Sequence, residues 1–474
     1  SRIIYPGGSQ QTTHYNGYQQ PVSSTLNNTL QQLVHQANYG YENEGHLNAI
    51  TEATRTQRIS YDSNYRLEHY QSDYAEAEDN NSQNQYQYDG VDNRTGFSQD
   101  QNGNSHSDSW IYQHNRLIEA NGHTYQYDAN GSLIKILNKE SGGTEQSLSY
   151  NAQQRLSQFT QNGVTTTYTY DPTGVFRLSK TTAEGTTYYL YNQNGLAAEY
   201  DSNGNLQVEY HFAPQAGWGM QPMFTRQHGQ YFYYQLDYRN APVRIIDAGG
   251  NVHWQADYDD FGNATISKPD YSQVTNNLRL PGQYADAESD YYYNLNRYYA
   301  PQLGRYLSED PIGLDGGINL YSYVNQSPFD YVDPTGENPA AAYAYGRCVL
   351  QCKAVGAAVG AITGCDSPSV GDCALSCLNP MNWLGGGKGS KGPKLGITGG
   401  KSKQSQMNQQ IYRGQAPRGI KRVDPGKVKG EQEHVHFDNG SALNKDGTWK
   451  HGGSNLTSKQ KEWLKNNDWT LPKK

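Results

Sequence analysis

Three histidines near the C-terminus have the types and the spacing that proton transfer requires. His434 and His436 alternate within EHVHF, a stretch that predicts a strand, so both side chains should lie on the same face. His451 follows one predicted hairpin later, directly after Lys450. Histidine can accept or donate a proton near neutral pH. The three histidines therefore indicate acid–base chemistry next to a cationic side chain.

RNA cleavage fits this set because RNA carries its own nucleophile. The 2′-hydroxyl already lies beside the phosphorus, so neither a metal ion nor an activated water is required. One histidine would take the hydroxyl proton and another would protonate the leaving 5′-oxygen. Lys450 or Arg413 would stabilise the charged phosphorane, and Glu433 is a further candidate catalytic residue. The predicted ribonuclease uses no cofactor and no metal. His-x-His with a third histidine is also a metal-ligand set, which leaves a metal-dependent DNase as an alternative.

The charge of the chain divides at about residue 385. Residues 386–474 contain 18 lysines and arginines but only 7 aspartates and glutamates, a net charge of +11. The remainder contains 20 basic and 39 acidic residues, a net charge of −19. Such a basic domain predicts a nucleic-acid ligand. Its hairpin turns DNG and KDG, followed by a helix over 456–467 with Thr457 or Ser458 near its N-cap, predict a small α+β fold.

The region just before this basic domain, residues 338–385, contains every cysteine of the chain. Two C-x₃-C pairs would each lie on one face of a helix, which predicts a short helical linker segment. A disulfide-linked hairpin, a packed helical pair with free thiols, a zinc site and a segment that helps a cargo to cross a membrane all remain open. The cysteines are Cys348, Cys352, Cys365, Cys373 and Cys377.

The part of the chain up to Glu337 contains 38 of the 41 tyrosines and is built from a recurring unit. TYQYDANGSLIK (124–135) and TYTYDPTGVFRLSK (167–180) each predict a strand, an Asp-x-x-Gly turn and a return strand. Repetition at roughly 20 to 40 residues indicates a repeat array. Two stretches depart from the unit: residues 24–37 are expected to form a short amphipathic helix, and residues 70–109 an irregular loop.

The array ends in a segment with a more specific pattern, RYYAPQLGRYLSEDPIGLDGGINLYSYVNQSPFDYVDPTGE (297–337). It contains two Asp-Pro-x-Gly units, at Asp310 and Asp333, 23 positions apart. This segment is similar to the Rhs-associated core. The repeats, over about residues 40–337, resemble the YD repeats of Rhs proteins and of the Tc toxin C component. The resemblance implies a hollow YD-repeat β-shell, or cocoon, that holds a toxin fused at its C-terminus.

The resemblance also implies the residues of an intramolecular aspartyl protease that closes the shell. Asp310 and Asp333 are then the acid–base pair, and Arg297 is a supporting cation. A pair of carboxyl groups can share a proton, so one acts as base toward water and the other as acid toward the carbonyl. The expected cleavage site is the bond between Glu337 and Asn338. Glu337 stands where the family usually has leucine.

Four parts follow from these observations: 1–296, a YD-repeat β-shell; 297–337, the core with its autoprotease motif; 338–385, the helical segment; and 386–474, the toxin domain. The fold class is mainly β, with a small α+β domain at the end. We expect the chain to be the C-terminal part of a longer shell protein, because shells of this kind usually need more repeats.

The predicted function is that of a secreted Rhs-type effector. Its shell would release the ribonuclease by autoproteolysis, and the toxin would act in the cytoplasm of a target cell during interbacterial competition. Expected partners are a cognate immunity protein, nucleic acid (RNA more than DNA), secretion proteins such as a VgrG-type spike or a chaperone, and the shell fragment itself. The alternative is a structural YD-repeat surface protein with a non-catalytic binding tail.

Overall fold

β-Strands form most of the computed structural model, which confirms the predicted fold class. The structure describes residues 1–77, 80–214, 216–337, 339–341, 407, 417, 419–424, 432–453, 455–467 and 469–472. The chain divides into two units, Ser1–Gly386 and Gly387–Lys474. No helix among the described residues is both long enough and apolar enough to cross a membrane.

The N-terminal unit consists of antiparallel sheets whose strands follow one another in chain order. One sheet has ten strands, β1 to β10, and the next has sixteen, β11 to β26. A four-stranded sheet, β27 to β30, and the pair β31–β32 complete the unit. The strands are β1 (Arg2–Ile4), β2 (Gln10–Tyr15), β3 (Pro21–Asn27), β4 (Leu33–Tyr41), β5 (Leu47–Glu52), β6 (Arg55–Tyr61), β7 (Leu67–Tyr74), β8 (Ser82–Tyr88), β9 (Arg94–Gln101), β10 (Asn104–Ser109), β11 (Ile111–Gln113), β12 (Arg116–Ala120), β13 (His123–Tyr127), β14 (Leu133–Asn138), β15 (Thr144–Tyr150), β16 (Leu156–Gln161), β17 (Val164–Tyr170), β18 (Arg177–Thr182), β19 (Gly185–Asn192), β20 (Gly195–Tyr200), β21 (Leu206–Phe212), β22 (Pro222–Gln227), β23 (Gln230–Leu236), β24 (Pro242–Ile246), β25 (Val252–Tyr258), β26 (Ala264–Ser267), β27 (Tyr284–Asp286), β28 (Tyr291–Asn294), β29 (Arg297–Ala300), β30 (Arg305–Tyr306), β31 (Tyr331–Val332) and β32 (Ala340–Ala341).

The Tyr-Asp pair of each repeat has a local structural role. At the turn between β13 and β14, Asp128 Oδ1 accepts the backbone N–H groups of Asn130 (3.0 Å) and Ser132 (2.8 Å). Gly131 has a φ of 80°, a conformation that favours glycine. The tyrosine that precedes such an aspartate reaches back to an earlier strand, as when the Tyr61 hydroxyl donates to the Leu47 carbonyl at 2.8 Å. The motif therefore fixes both the turn and the packing onto the preceding hairpin.

Two predictions for this unit are wrong. Residues 24–37 contribute to β3 and β4, not to a helix, and Leu26 and Ala37 are buried on these strands. Residues 70–109 belong largely to β7 through β10, not to an irregular loop. A buried polar side chain can lie on such a strand when it has a partner, as Asn84 does: its Nδ2 atom donates to Asp260 Oδ2 at 2.8 Å.

Tyrosines of the segment 284–323 form the centre of the larger hydrophobic core. Tyr299, Tyr306 and Tyr323 are almost completely buried and contact one another through their rings, with centroids 4.2 to 5.8 Å apart. Buried tyrosine needs a partner for its hydroxyl, and the Tyr299 hydroxyl donates to the Phe261 carbonyl at 2.7 Å. This hydrogen bond joins β29 to the turn between β25 and β26.

The C-terminal unit has the predicted α+β pattern in its described residues. Its elements are β33 (Ile420–Asp424), β34 (His434–Phe437), β35 (Ala442–Asn444), β36 (Trp449–His451) and the helix α1 (Ser458–Asn466). The four strands form one antiparallel sheet in chain order. Thr457 caps α1: its side chain accepts the N–H of Gln460, and the Gln460 side chain accepts the N–H of Thr457. Val435, Leu443 and Leu464 lie in the core of this unit.

Candidate active sites

The N-terminal unit brings Arg297, Asp310 and Asp333 together from three separate positions in the fold. Arg297 begins β29, Asp310 follows β30, and Asp333 follows β31. The Arg297 Nη2 atom lies 2.8 Å from Asp310 Oδ2 and 3.6 Å from Asp333 Oδ2. All three side chains are at most 4% exposed. The guanidinium thus contacts both carboxyl groups in a site that is nearly closed to solvent.

Asp333 is surrounded by hydrogen-bond donors. Its Oδ1 atom accepts the backbone N–H groups of Thr335 (3.3 Å), Gly336 (2.9 Å) and Glu337 (3.1 Å). Its Oδ2 atom accepts the hydroxyl of Tyr306 at 2.7 Å. Hydrogen-bond donors thus contact both oxygens of this carboxyl group and fix its orientation. The same bonds fold residues 333–337 into a turn that brings the backbone of Glu337 to Asp333.

Tyr306 holds this arrangement in place. Its hydroxyl accepts a hydrogen bond from Asn294 Nδ2 at 3.0 Å while it donates to Asp333. Its ring lies under the guanidinium of Arg297, 3.6 Å from ring centroid to Cζ. Asn294 Nδ2 also donates to the backbone carbonyl of Asp333 at 2.8 Å. Tyr306 and Asn294 are site residues that the sequence analysis did not identify.

Asp310 lies in a different environment from Asp333. Burial raises the pKa of Asp310 to about 7, although Arg297 lowers it. Asp310 Oδ1 accepts one backbone N–H, that of Ile312 at 3.0 Å. The raised pKa makes Asp310 the member of the pair that is suited to donate a proton near neutral pH.

The carbonyl of Glu337 lies beside Asp310. A Cβ atom built on Gly316 would be 2.4 Å from Asp310 Oδ2 and 3.2 Å from the Glu337 carbonyl oxygen, so both atoms border the same position. Burial and the neighbouring Asp333 also raise the pKa of the Glu337 side chain. Asn338, the other expected cleavage-site residue, lies outside the described residues. The strands on either side of the bond, β31 and β32, pair with each other.

The C-terminal unit brings the three predicted histidines together on one sheet. The rings of His434 and His436 have centroids 5.0 Å apart, and those of His436 and His451 are 5.9 Å apart. His436 and His451 both lie opposite Ala442 in the antiparallel register of β34, β35 and β36. The alternation read from EHVHF therefore places the side chains as predicted.

The contacts of His434 fix its tautomer. Its Nδ1 atom lies 3.0 Å from the Gln432 carbonyl oxygen, which can only accept, so Nδ1 carries the proton. Its Nε2 atom lies 3.0 Å from Lys450 Nζ, which donates to it. The neutral His434 ring thus presents a lone pair at Nε2 to a cationic side chain, as a general base next to a phosphate-binding group would require.

Asp424 belongs to the same cluster and was missed in the sequence. It lies opposite His434 in the register of β33 and β34, and its Oδ2 atom is 3.1 Å from His436 Nε2. Partial burial raises the pKa of Asp424, but Arg422 and the two histidines lower it by a larger amount, so the net shift of this pKa is downward. Burial lowers the pKa of His436, and Arg422 adds to this effect.

Glu433 and Arg413, the other residues predicted for this unit, are not among the contacts that the structure describes for the three histidines. Glu433 forms an ion pair with Lys445, and among the contacts of the described residues none links it to the histidines. Arg413 lies outside the described residues, as do the five cysteines.

One ligand atom from each of Asp424, His434 and His436 can be chosen so that all three atoms lie within 4.8 Å of one another, close enough for a metal ion.

The family model "Teneurin YD-shell" matches residues 101–268 of the chain. The tRNA3(Ser)-specific nuclease WapA of Bacillus spizizenii is 29% identical over 260 residues, which are 53% of this chain and 11% of WapA. Double-stranded DNA deaminase toxin A of Burkholderia cenocepacia is 28% identical over 342 residues, which are 65% of this chain and 23% of that toxin. The chain spans less than half of the length of the curated relatives that it matches.

Among solved structures, the crystal structure of TcdB2-TccC3-TEV resembles the chain with a TM-score of 0.58 and 19% identity. The match covers 71% of this chain and 18% of the other. At this level of identity the likeness concerns the fold. The chain thus shares with these proteins the architecture of a YD-repeat shell.

Proposed function

We propose that the chain is a secreted effector of the Rhs/YD-repeat polymorphic toxin family and that it releases a ribonuclease from a β-shell. Two acid–base sites in one chain carry the proposal: one lies against the chain's own backbone at Glu337, and the other lies in the basic C-terminal unit. Two relatives are named for acting on nucleic acids, one on tRNA and one on double-stranded DNA. This supports a nucleic-acid target for the C-terminal unit.

The first site would hydrolyse the bond between Glu337 and Asn338. Asp333, as the carboxylate, takes a proton from a water molecule whose oxygen attacks the Glu337 carbonyl carbon. Asp310, as the acid, protonates the carbonyl oxygen. The carbon–nitrogen bond then breaks. The amine of Asn338 leaves with the proton that Asp333 took from water, and a hydroxyl of the tetrahedral intermediate returns its proton to Asp310. Arg297 limits the charge repulsion between the two carboxyl groups because it contacts both.

Substitution of each aspartate tests this assignment. Wild-type protein should run as two fragments of about 337 and 137 residues on a denaturing gel, whereas Asp310→Asn and Asp333→Asn should each run as one chain. Asp270→Asn, at an exposed position, is the matched control and should be cleaved normally. A wild-type chain that stays intact under all conditions would exclude autoproteolysis in this protein. Cleavage of both site variants would assign it to other residues.

The second site would cleave RNA by transfer to the 2′-oxygen. His434 Nε2 takes the 2′-hydroxyl proton, the 2′-oxygen attacks the phosphorus, and the bond from phosphorus to the 5′-oxygen breaks. His436 or His451 protonates the departing 5′-oxygen. Lys450, whose Nζ atom lies 3.0 Å from His434 Nε2, stabilises the negative charge on the phosphorane. The products are a 2′,3′-cyclic phosphate and a 5′-hydroxyl.

The unit Gly387–Lys474 should therefore degrade RNA in the presence of EDTA and leave cyclic phosphate ends. His434→Ala, His436→Ala and His451→Ala should each lower the rate, and at least two of them by the ~10²-fold or more expected when a general acid or base is lost. Lys459→Ala, at an exposed position of α1, is the control within the same unit. Intact folding without any cleavage would instead leave the tail as a binding module.

A metal-dependent DNase is the second candidate, because Asp424, His434 and His436 can approach one ion. It predicts the opposite result in the same assay. EDTA would abolish the activity, a divalent ion would restore it, and DNA would be the better substrate. The comparison of RNA and DNA with and without EDTA thus separates the two chemistries.

The producing cell contains RNA as well, so a ribonuclease effector requires an immunity protein that blocks the C-terminal unit. That unit has a charge of +11, so we expect the immunity protein to be small and acidic. A secretion apparatus with a spike or a chaperone would deliver the effector, and the toxin would act in the target-cell cytoplasm. An open reading frame for a small acidic protein directly downstream, able to inhibit the unit, is the corresponding observation.

A further inference from the structure

We propose that Asp424, His434 and His436 form a binding site for a divalent transition ion such as Zn²⁺, and that the bound ion switches the C-terminal unit off. The three residues come from the adjacent strands β33 and β34. Their ligand atoms lie within 4.8 Å of one another. Two imidazoles and one carboxylate are a ligand set that zinc accepts and that magnesium, which prefers oxygen ligands, does not.

His434 has the outer contacts of a metal ligand. A histidine that binds a metal through one ring nitrogen usually donates the other N–H to a carbonyl or a carboxylate, which sets its orientation. His434 Nδ1 donates to the Gln432 carbonyl at 3.0 Å, so Nε2 is the atom that carries the lone pair.

His436 supplies an independent observation. Its Nε2 atom is buried and faces Asp424 Oδ2, but the two atoms are not in hydrogen-bonding geometry, although buried ring nitrogens normally form such a bond. This atom lies 3.1 Å from Asp424 Oδ2. Ligand atoms around one tetrahedral zinc ion lie about 3.3 Å apart, since each is about 2.0 to 2.1 Å from the metal. Two of the three ligands are therefore already at the separation that a shared ion requires.

Lys450 competes with the ion for the Nε2 atom of His434. Its ammonium group lies 3.0 Å from His434 Nε2 and donates to the same lone pair that the metal would occupy. Binding of the ion must displace this contact, because two cations cannot share one lone pair. The site should therefore bind zinc more weakly than a site without the lysine, and substitution of Lys450 should strengthen binding.

Inhibition follows from competition for the same atoms, and this consequence rests on the proposed ribonuclease function. The general base of that reaction is His434 Nε2. An ion bound there occupies the lone pair and displaces Lys450 from the position where it would stabilise the phosphorane. Zinc should thus block the metal-independent reaction, and EDTA should restore it.

Zinc titration of the full chain by calorimetry, after removal of metal with EDTA, tests the site. Asp424→Asn and His436→Ala should each lose one zinc-binding event, or weaken it at least tenfold, relative to wild type. His106→Ala, at an exposed position of β10, is the matched control and should retain it. Comparison between variants cancels any zinc held by the five cysteines, which all variants share. Lys450→Met should bind zinc at least tenfold more tightly, a gain that misfolding cannot produce.

Each outcome decides a separate question. Identical zinc binding in wild type, Asp424→Asn and His436→Ala would overturn the site, as would unchanged or weaker binding in Lys450→Met. RNA cleavage by the same preparations tests the proposed function on its own. Zinc that binds as described but activates cleavage would leave the metal site in place and refute the metal-independent mechanism.

Discussion

The substitution Gly316→Ala adds one methyl group at the point where Asp310 faces the expected cleavage site. Gly316 has an ordinary backbone conformation, so alanine is not strained there. Its Cβ atom, however, would be 2.4 Å from Asp310 Oδ2, whereas ordinary contacts begin at 3.4 Å. The carboxyl group must therefore move by about 1 Å. A misplacement of that size can cost ~10²-fold in rate, because the reacting atoms leave their productive geometry.

The assay follows the appearance of the two fragments when a chain synthesised in vitro and held in urea is diluted into buffer. Gly90→Ala is the control, since its Cβ atom would meet no atom within 4 Å and Gly90 also has an ordinary conformation. Gly316→Ala should be processed about 10²-fold more slowly than Gly90→Ala, with a similar thermal midpoint of unfolding. Equal processing rates would refute the assignment of Asp310 as the group that acts on the Glu337 carbonyl.

Three further predictions concern the same chain. The processing rate should fall about tenfold per pH unit above pH 7, because Asp310, with a pKa of about 7, must be protonated to act as the acid; a rate that rises from pH 7 to pH 9 would contradict this role. Tyr306→Phe removes the hydroxyl that donates to Asp333 and should slow processing about tenfold, since a hydrogen bond to a charged group contributes ~1.5 kcal/mol; the thermal midpoint, measured in parallel, distinguishes this loss from unfolding. The fragments 1–337 (net charge −19) and 338–474 (net charge +11) should stay associated after cleavage and elute together by size exclusion in ~0.15 M salt. Two separate peaks without denaturant would argue against retention of the toxin by the shell.

The sequence predicted the repeat fold because its determinants are local. The aspartate in each turn accepts backbone N–H groups two and four residues later, as Asp128 does with Asn130 and Ser132, and the glycine supplies the positive φ. Such contacts are visible as a motif. The segment 70–109 contains the same turn, in which Asp89 accepts the N–H groups of Val91 and Asn93, but Asp92 takes the position of the glycine. The segment 24–37 has Asn28 in place of the aspartate. Their strands are also stabilised by long-range contacts such as that of Asn84 with Asp260. A local pattern cannot reveal these contacts.

The residues of the candidate sites also differ in whether the sequence reveals them. Asp310, Asp333 and Arg297 could be named from a family motif, and His434 and His436 from strand alternation. Asp424 could not be found, because only the antiparallel register of β33 and β34 places it opposite His434. Nothing in the sequence distinguished the roles of the two aspartates either. Their difference comes from the donors around Asp333 and from the burial of Asp310.

The central claim is that Asp310, Asp333 and Arg297 cut the chain's own backbone between Glu337 and Asn338. Mass spectrometry of the purified, denatured protein tests it most directly, because it identifies the bond as well as the event. We predict two species, one that ends at Glu337 and one that begins at Asn338, and a single full-length species for Asp333→Asn. A full-length mass for the wild-type chain, or a cut at another bond that persists in Asp333→Asn, would contradict the account.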